Sequence, residues 1–374
     1  MMELRHILER MASGPNDDAI LATLVDVKGS GYRLAGARML IDESGKSIGM
    51  VSGGCLEADI AERAKEVRRT GSPAIISYDN TKDDDSVFGF GMGCRGVVRV
   101  LLEPARNNDV VDFIRTCFER REKGAVTTLI SKTGSFKMEL GSRIFSQRSG
   151  ETVKPYRHSF AELNGLSGSV NHDATAALQE NHSRVVIYRD VAGSLEFFHE
   201  VINPPTAFLI FGAGHDAVPL AKLAGLLGWK ISVIDHRPAW ATAERLPEAD
   251  EIIVSRPEEI GDEVFTDINS VAVVMNHNYE ADLAIVRRLL GSTCRYIGVL
   301  GPKNRTEKLL DQLRAEGAAL RDPRLNRLYA PVGLDIGATT PEGIALSIIA
   351  EIQAVLSGRD GGFLKDRLAP IYDR

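Results

Sequence analysis

Two cysteines of this 374-residue chain stand among glycines. Cys55 lies in Ser52-Gly53-Gly54-Cys55-Leu56-Glu57, where a glycine-rich turn meets the start of a helical pattern. Cys94 lies in Gly91-Met92-Gly93-Cys94, just ahead of a strand-like run. Free N–H groups at a helix start favour negative charge, so a thiol so placed can serve as a nucleophile or meet a metal. Each is also compatible with the small core residue that free cysteine usually is. Cys117, on an apolar helix face, and Cys294, ahead of a strand, read as structural. The four cysteines are widely spaced and form no CxxC pair, which fits neither a disulfide framework nor a closed zinc site and points to a reducing cytoplasm. No metal site is expected from side chains alone.

A second constellation is built for phosphate. The apolar run 207–211 (AFLIF) leads directly into Gly212-Ala213-Gly214-His215-Asp216-Ala217, and then into a helical pattern carrying Val218, Leu220, Ala221, Leu223, Ala224 and Leu227. In this strand, turn and helix, Gly212 allows the tight turn, Gly214 lets backbone approach a phosphate, and Ala217 is small enough for close packing. The helix start offers free N–H groups to an anion, with His215 inside the turn. A further strand, ISVI, ends at Asp235, about 20 residues on, where dinucleotide-binding folds place a ribose-binding acid. Arg237 either neutralises Asp235 or contacts a phosphate. A purely structural glycine turn is the other reading of the motif.

Other candidates flank strand ends and glycines. His277 follows VAVVM at the edge where open parallel sheets bind ligands, and reads as a ligand contact or as a surface histidine. Arg33 and Arg38 flank a glycine-rich turn, and Lys303 and Arg305 follow YIGVLG at a helix start; these read as anion contacts or solvated cations. In Gly333-Leu334-Asp335-Ile336-Gly337-Ala338-Thr339-Thr340-Pro341-Glu342, Thr340 suits an N-cap and Pro341 the first helical position, which leaves Asp335 and Gly337 free to line a pocket.

The elements that must hold these residues divide in two. Strand-like runs at 20–27, 37–41, 74–78, 97–102, 125–130 and 184–189, with helical patterns after Cys55 and near 109–121, predict a mixed α+β first half, residues 1–203. Within it, 148–183 is rich in Ser, Asn, His, Gly and Gln and reads as an insertion or mobile loop. After Asn203-Pro204-Pro205, strands at 207–211, 230–234, 251–254, 271–275 and 295–300 alternate with helices, so 204–374 reads as an α/β domain with a parallel sheet of Rossmann type. A formal charge of −6 leaves no electrostatic footprint for nucleic acid, and no run approaches the ~18 apolar residues of a membrane span.

Several long motifs together resemble the xanthine dehydrogenase accessory factor family (XdhC/CoxI). They are KGSGYRLAGARMLI, IGMVSGGCLEADI and FGFGMGCRGVVRVLLEP in the first half, and IFGAGHDAVPLAKLAGLLGW, VIDHRPAWATAERLPEAD, YIGVLGPKNR and APVGLDIGATTPEGIALSIIAEI in the second. The chain departs from the family pattern at Tyr32, at Arg95 and at Asn276-His277-Asn278. The resemblance implies a cytoplasmic carrier, more than a catalyst, that binds molybdopterin in the form of molybdenum cofactor between its domains. It implies support for sulfuration by a partner cysteine desulfurase and delivery to a molybdenum hydroxylase target, with a homodimer left open. Cys55 or Cys94 would lie near the metal. The Asp235 position keeps an NAD(P)-dependent oxidoreductase as the alternative, and a scaffold that leaves the glycine turn empty as a third reading.

Overall fold

The computed structural model describes residues 1–13, 18–29, 31–79, 96–149, 152–155, 163, 165–261, 264, 267–315, 323–369 and 371. Cys94, and with it the segment 80–95, lies outside them. The chain divides into two compact units, Glu3–Pro204 and Pro205–Arg374, the second also including Met1–Met2.

The first unit begins with α1 (Met2–Ala12), β1 (Ile20–Gly29), β2 (Arg38–Ile41), β3 (Ser47–Gly49), α2 (Glu57–Thr70), β4 (Ala74–Asp79), β5 (Gly96–Pro104) and α3 (Asp109–Arg120). It continues through β6 (Gly124–Gly134), β7 (Arg143–Ser149), β8 (Thr152–Pro155), α4 (Ser167–Glu180), β9 (Arg184–Asp190) and β10 (Gly193–Ile202). Two five-stranded sheets result, ordered β3-β2-β1-β5-β4 and β8-β7-β6-β10-β9. Their strand pairs are antiparallel.

The period of two in β1 sorts its side chains between two layers. Ile20, Ala22 and Leu24 pack under Ile60, Ala64 and Val67 of α2. Leu21 faces the other way, into a cluster with Val126 and Phe145 of the second sheet and with α3. Val25 and Leu101 meet Ile130 and Phe198 across the two sheets. Over the far face of the second sheet, Val170 of α4 joins Leu129, Leu195 and Phe197.

The segment 148–183, expected as a loop, therefore contains strand β8 and helix α4 among its described residues. Buried Val170, Ala174, Ala177 and Leu178 give α4 its inward stripe. Two of the four are alanines among polar neighbours, so the helical period carries little apolar contrast in the sequence.

The second unit comprises β11 (Ala207–Phe211), α5 (Ala217–Leu226), β12 (Lys230–Asp235), β13 (Glu251–Val254), β14 (Ser270–Val274), α6 (Tyr279–Gly291), β15 (Tyr296–Val299), α7 (Lys303–Ala315), β16 (Leu328–Tyr329) and α8 (Pro341–Ser357). Its sheet runs β13-β12-β11-β14-β15-β16, with parallel pairing throughout. This is the Rossmann order, expected from the alternation of strands and helices. Phe208 and Ile210 point into a cluster with α5 and α8. Leu209 and Phe211 point into another with α6 and α7. The strand order reverses between β11 and β14, which places a crevice at their C-terminal ends. Among the described residues no helix is long and apolar enough to cross a membrane.

Candidate functional site

At that crevice β11 ends in Phe211, and Gly212 takes φ +117°, a backbone open to glycine. A Cβ there would stand 2.7 Å from the Met275 carbonyl oxygen at the end of β14, so the turn fits against the neighbouring strand only without a side chain. Gly214 differs: a Cβ built on it meets nothing within 4 Å. Its free space faces outward, as the close approach of a ligand requires.

Side chains hold both polar groups of the Ala213 peptide. Its N–H donates to Asp235 Oδ2 at 2.6 Å, and its carbonyl accepts from Arg245 Nη1 at 2.9 Å. The next three amides, of Gly214, His215 and Asp216, have no acceptor among the described residues, while Ala217 and Val218 begin the helical pattern by donating to Gly214 and His215. Three free N–H groups at the N-terminus of α5 make a ready place for an anion.

Asp235 ends β12 with its side chain fully enclosed. Besides Ala213 N–H it accepts from Arg237 N–H at 2.8 Å, Arg237 Nε at 3.0 Å and Arg237 Nη2 at 2.7 Å. Burial raises its pKa, but the bonds from Arg237 and Ala213 outweigh burial and hold the carboxyl below its usual range. Arg237 thus neutralises Asp235 through Nε and Nη2, and its reading as a phosphate contact is left to Nη1. The Arg237 guanidinium also lies 4.9 Å from the Trp240 ring centre, and that of Arg245 lies 4.5 Å from it. His215 approaches the same ring edge-on at 5.0 Å.

His277 stands across the crevice, at the end of β14, in the left-handed region at φ 58°, which is uncommon for a side-chain-bearing residue. Its Nε2 is 3.5 Å from Asp216 Oδ2, so the loop after β14 meets the helix start after β11. Arg305 is committed elsewhere. It pairs with the fully buried Asp282 of α6, whose other oxygen accepts from Asn276 N–H at 3.3 Å and Asn276 Nδ2 at 3.2 Å. Burial raises the Asp282 pKa despite these partners. Lys303 and Asp335 are exposed. Thr340 caps α8 by accepting from Gly343 N–H at 3.2 Å, with Pro341 in the first turn.

In the first unit, Cys55 is exposed at the tip of the loop that precedes α2. The amides that a helix start would lend to a thiolate are taken by Glu57 and Ser52. Glu57 accepts from Ser52 N–H at 2.7 Å and from Val51 and Leu56 N–H at 3.2 Å, and from the Ser52 hydroxyl. Ser52 Oγ accepts in turn from Leu56 N–H at 3.1 Å and Gly54 N–H at 3.3 Å. Burial works against ionisation of Glu57, and the Ser52 hydroxyl and these amides overcome it, lowering the pKa. Arg33 pairs with Glu3, and Arg38 forms a buried fork with Glu200 at 2.6 Å on both arms. Cys117 and Cys294 are buried, and burial pushes each thiol up to about 12.

The structure thus brings Gly212, Gly214, His215, Asp235, Arg237 and His277 to one strand edge. Cys55, Arg33 and Arg38 belong to the other unit. Asp216, Trp240 and Arg245 are part of the crevice and were missed. Asp216 had a signal, being at the helix start, whereas Trp240 and Arg245 sit on a connection without periodicity. Among the described residues no group of three His, Cys, Asp or Glu side chains is placed to hold a metal.

Comparisons with known proteins cover both units. Residues 208–352 match the XdhC Rossmann domain, and residues 14–79 match the XdhC and CoxI family. A probable xanthine dehydrogenase subunit of Bacillus subtilis (strain 168) is 33% identical over 338 residues, 90% of this chain and 92% of that protein. The molybdenum cofactor insertion chaperone PaoD of Escherichia coli (strain K12) is 23% identical over 353 residues, 94% of this chain and 87% of that one. Among solved structures, a xanthine dehydrogenase from Bacillus halodurans matches with a TM-score of 0.73 at 29% identity, covering 98% of each chain.

Proposed function

This chain belongs to the XdhC and CoxI family, and from that premise we propose that it is a maturation factor for a molybdenum hydroxylase of the xanthine dehydrogenase type. It binds molybdenum cofactor in the cytoplasm, keeps it while a cysteine desulfurase supplies sulfur, and delivers it to the target enzyme. The likeness to a molybdenum cofactor insertion chaperone over most of both chains supports the cofactor as the ligand.

The observation that carries the reading is the run of three amides, Gly214, His215 and Asp216, unpartnered among the described residues at the start of α5, with open space in front of Gly214. A phosphate group of the pterin fits there by charge and by hydrogen-bond count. His277 and Asp216 face each other beside that phosphate, with Nε2 and Oδ2 3.5 Å apart. The cofactor, when bound, brings the metal centre on which hydroxylation in the target depends. Cys55, in the first unit, is the exposed thiol among the described residues.

The test is purification of the chain from cells that make the cofactor, followed by molybdenum determination and fluorescence of the oxidised pterin. About one pterin per chain is expected, lost in Gly214→Val. Stoichiometric NAD(P) without pterin would establish the oxidoreductase instead, and a chain free of ligand under several expression conditions would establish the scaffold.

A further inference from the structure

The end of β12 is the place where a Rossmann domain reads ribose, because an acidic side chain there accepts hydrogen bonds from the sugar hydroxyls. Here the acid is present as Asp235, but its side chain has no exposed surface and accepts four hydrogen bonds, three from Arg237 and one from the glycine turn. A carboxylate offers about four lone-pair sites, so none remains for a sugar hydroxyl.

Arg237 is fixed in turn. It uses Nε and Nη2 on the carboxylate and lies over Trp240, while Arg245 lies over the same ring and bonds the carbonyls of Trp240 and Ala213. The side chain of Arg237 is nevertheless 37% exposed, and its Nη1 has no partner among the described residues.

We propose that Arg237 is the specificity-determining residue of the crevice: by closing Asp235 it excludes the adenosine ribose of nicotinamide dinucleotides, and through Nη1 it selects a ligand with a second phosphate. The inference rests on the reading that the glycine turn takes a phosphate. Arg237 acts on the ribose through Asp235, and on the second phosphate directly. Nη1 offers only donors, so a pterin carrying a diphosphate suits it, and a sugar diol meets a donor where it needs an acceptor. A bidentate arginine fork is the geometry that seals a carboxylate so fully, and a lysine at this position would leave one oxygen open.

The experiment is calorimetric titration of the ligand-stripped full chain with two probes, NADH and inorganic pyrophosphate. Four proteins are compared: the wild type, Arg237→Met, Arg237→Lys and Gly214→Val. The wild type is expected to bind pyrophosphate and to show no saturable binding of NADH. Arg237→Met keeps a stem over Trp240 and releases Asp235; it should bind NADH at least about tenfold tighter than the wild type, the gain of hydrogen bonds to a charged acceptor, and bind pyrophosphate more weakly. Arg237→Lys should fall between them, and a merely structural arginine would not give a gain of NADH binding. Micromolar binding of NADH by the wild type would overturn the proposal while leaving the phosphate reading in place. So would an Arg237→Met protein, folded by its melting temperature, that is unchanged toward both probes. If Arg237→Met does not fold, Arg237→Lys decides, and no gain of NADH binding there overturns it. Pyrophosphate bound equally by the wild type and Gly214→Val, or by neither, removes the phosphate reading and this inference with it.

Discussion

The two units place their charges in opposite ways. In the first, arginines cross from one sheet to the other inside the sandwich: Arg38 to Glu200, Arg99 to Glu196 and Arg143 to Glu103, with Asp26 on the strand beside Arg99 and Asp109 at the start of α3 as further partners. In the second, Asp235 with Arg237, Asp216 with His277 and Asp282 with Arg305 stand at the C-terminal strand ends, and the sheet faces between them are apolar. Charge between two sheets fixes their mutual position. Charge at the ends of parallel strands surrounds backbone amides that are left free. Both units also use a carboxylate to hold a glycine turn, Glu57 in one and Asp235 in the other, so an acid near glycines is by itself no sign of ligand contact.

The first way to break this contrast is to remove one partner of a buried fork. Arg38 and Glu200 are 4% and 6% exposed, and Arg38→Ala would leave a carboxylate uncompensated in the sandwich. Glu200→Ala does the same to the guanidinium. Either should cost about 3–5 kcal/mol in urea denaturation, whereas the paired change Arg38→Met with Glu200→Leu should recover most of it. Both tryptophans, Trp229 and Trp240, lie in the second unit, so their fluorescence reports that unit. Tyrosine circular dichroism is needed for the first. A loss below about 1 kcal/mol for the single variants would mean that the cross-sheet pairs do not position the sheets.

The second prediction concerns acid. His199 is enclosed between Thr127 at 3.0 Å and Tyr188 at 2.9 Å, and Tyr188 donates to Asp173 at 2.7 Å; Arg184 also acts on it through space. Burial pushes the imidazole down to about 4 from 6.5, outweighing Asp173, which favours the charged form. The folded pKa is below the unfolded one, so the unfolded chain binds more protons between these values and stability falls as pH is lowered from about 6.5 to about 4. The full loss is on the order of 3 kcal/mol, confined to the first unit, and His199→Gln should flatten it. A pH dependence in this window that survives the substitution would assign it to other groups.

Much of the second unit was legible because each local signal agreed with its neighbours: AFLIF, the glycine turn and the helix after it form one strand-turn-helix unit, and the alternation that follows predicts the parallel sheet. Site details were legible only to the depth of position. The sequence locates Asp235 at a strand end but cannot show that Arg237, two residues on, folds back to enclose it. The glycines around Cys55 promised amides to a thiolate, and Glu57 takes them instead. Helix α4 escaped because alanines supply half of its buried stripe.

The two glycines of the fingerprint sharpen the comparison within one loop. Gly212→Ala forces a Cβ to within 2.7 Å of the Met275 carbonyl at a backbone φ of +117°, and should destabilise the second unit by about 2 kcal/mol or more, read by tryptophan fluorescence in urea. Gly214→Val meets open space, and should change stability by less than about 1 kcal/mol. Its effect should appear in retained pterin, as a loss of at least about tenfold. Equal destabilisation by the two variants would show that the space before Gly214 is not kept for a ligand.

The smallest effect on stability is expected at Cys55, where the two kinds of cysteine separate. Its side chain is at the exposed tip of a loop held from beneath by Glu57, so Cys55→Ser removes no packed contact and should shift the melting temperature by less than about 1 °C. Cys117 and Cys294 are buried and pushed up to about 12, so at pH 8 they present almost no thiolate and no access. Peptide-resolved alkylation of the folded protein should therefore label Cys55 at least about 100-fold faster than either, and denaturation should bring the buried pair up to the reactivity of an ordinary thiol. The ligand arm then decides what the exposure is for. If Cys55 approaches the bound cofactor, its labelling slows on loading, and the serine variant retains less cofactor or activates the target less while melting normally. If its rate is the same with and without cofactor and the serine variant matures the target fully, the exposed thiol has no part in the function.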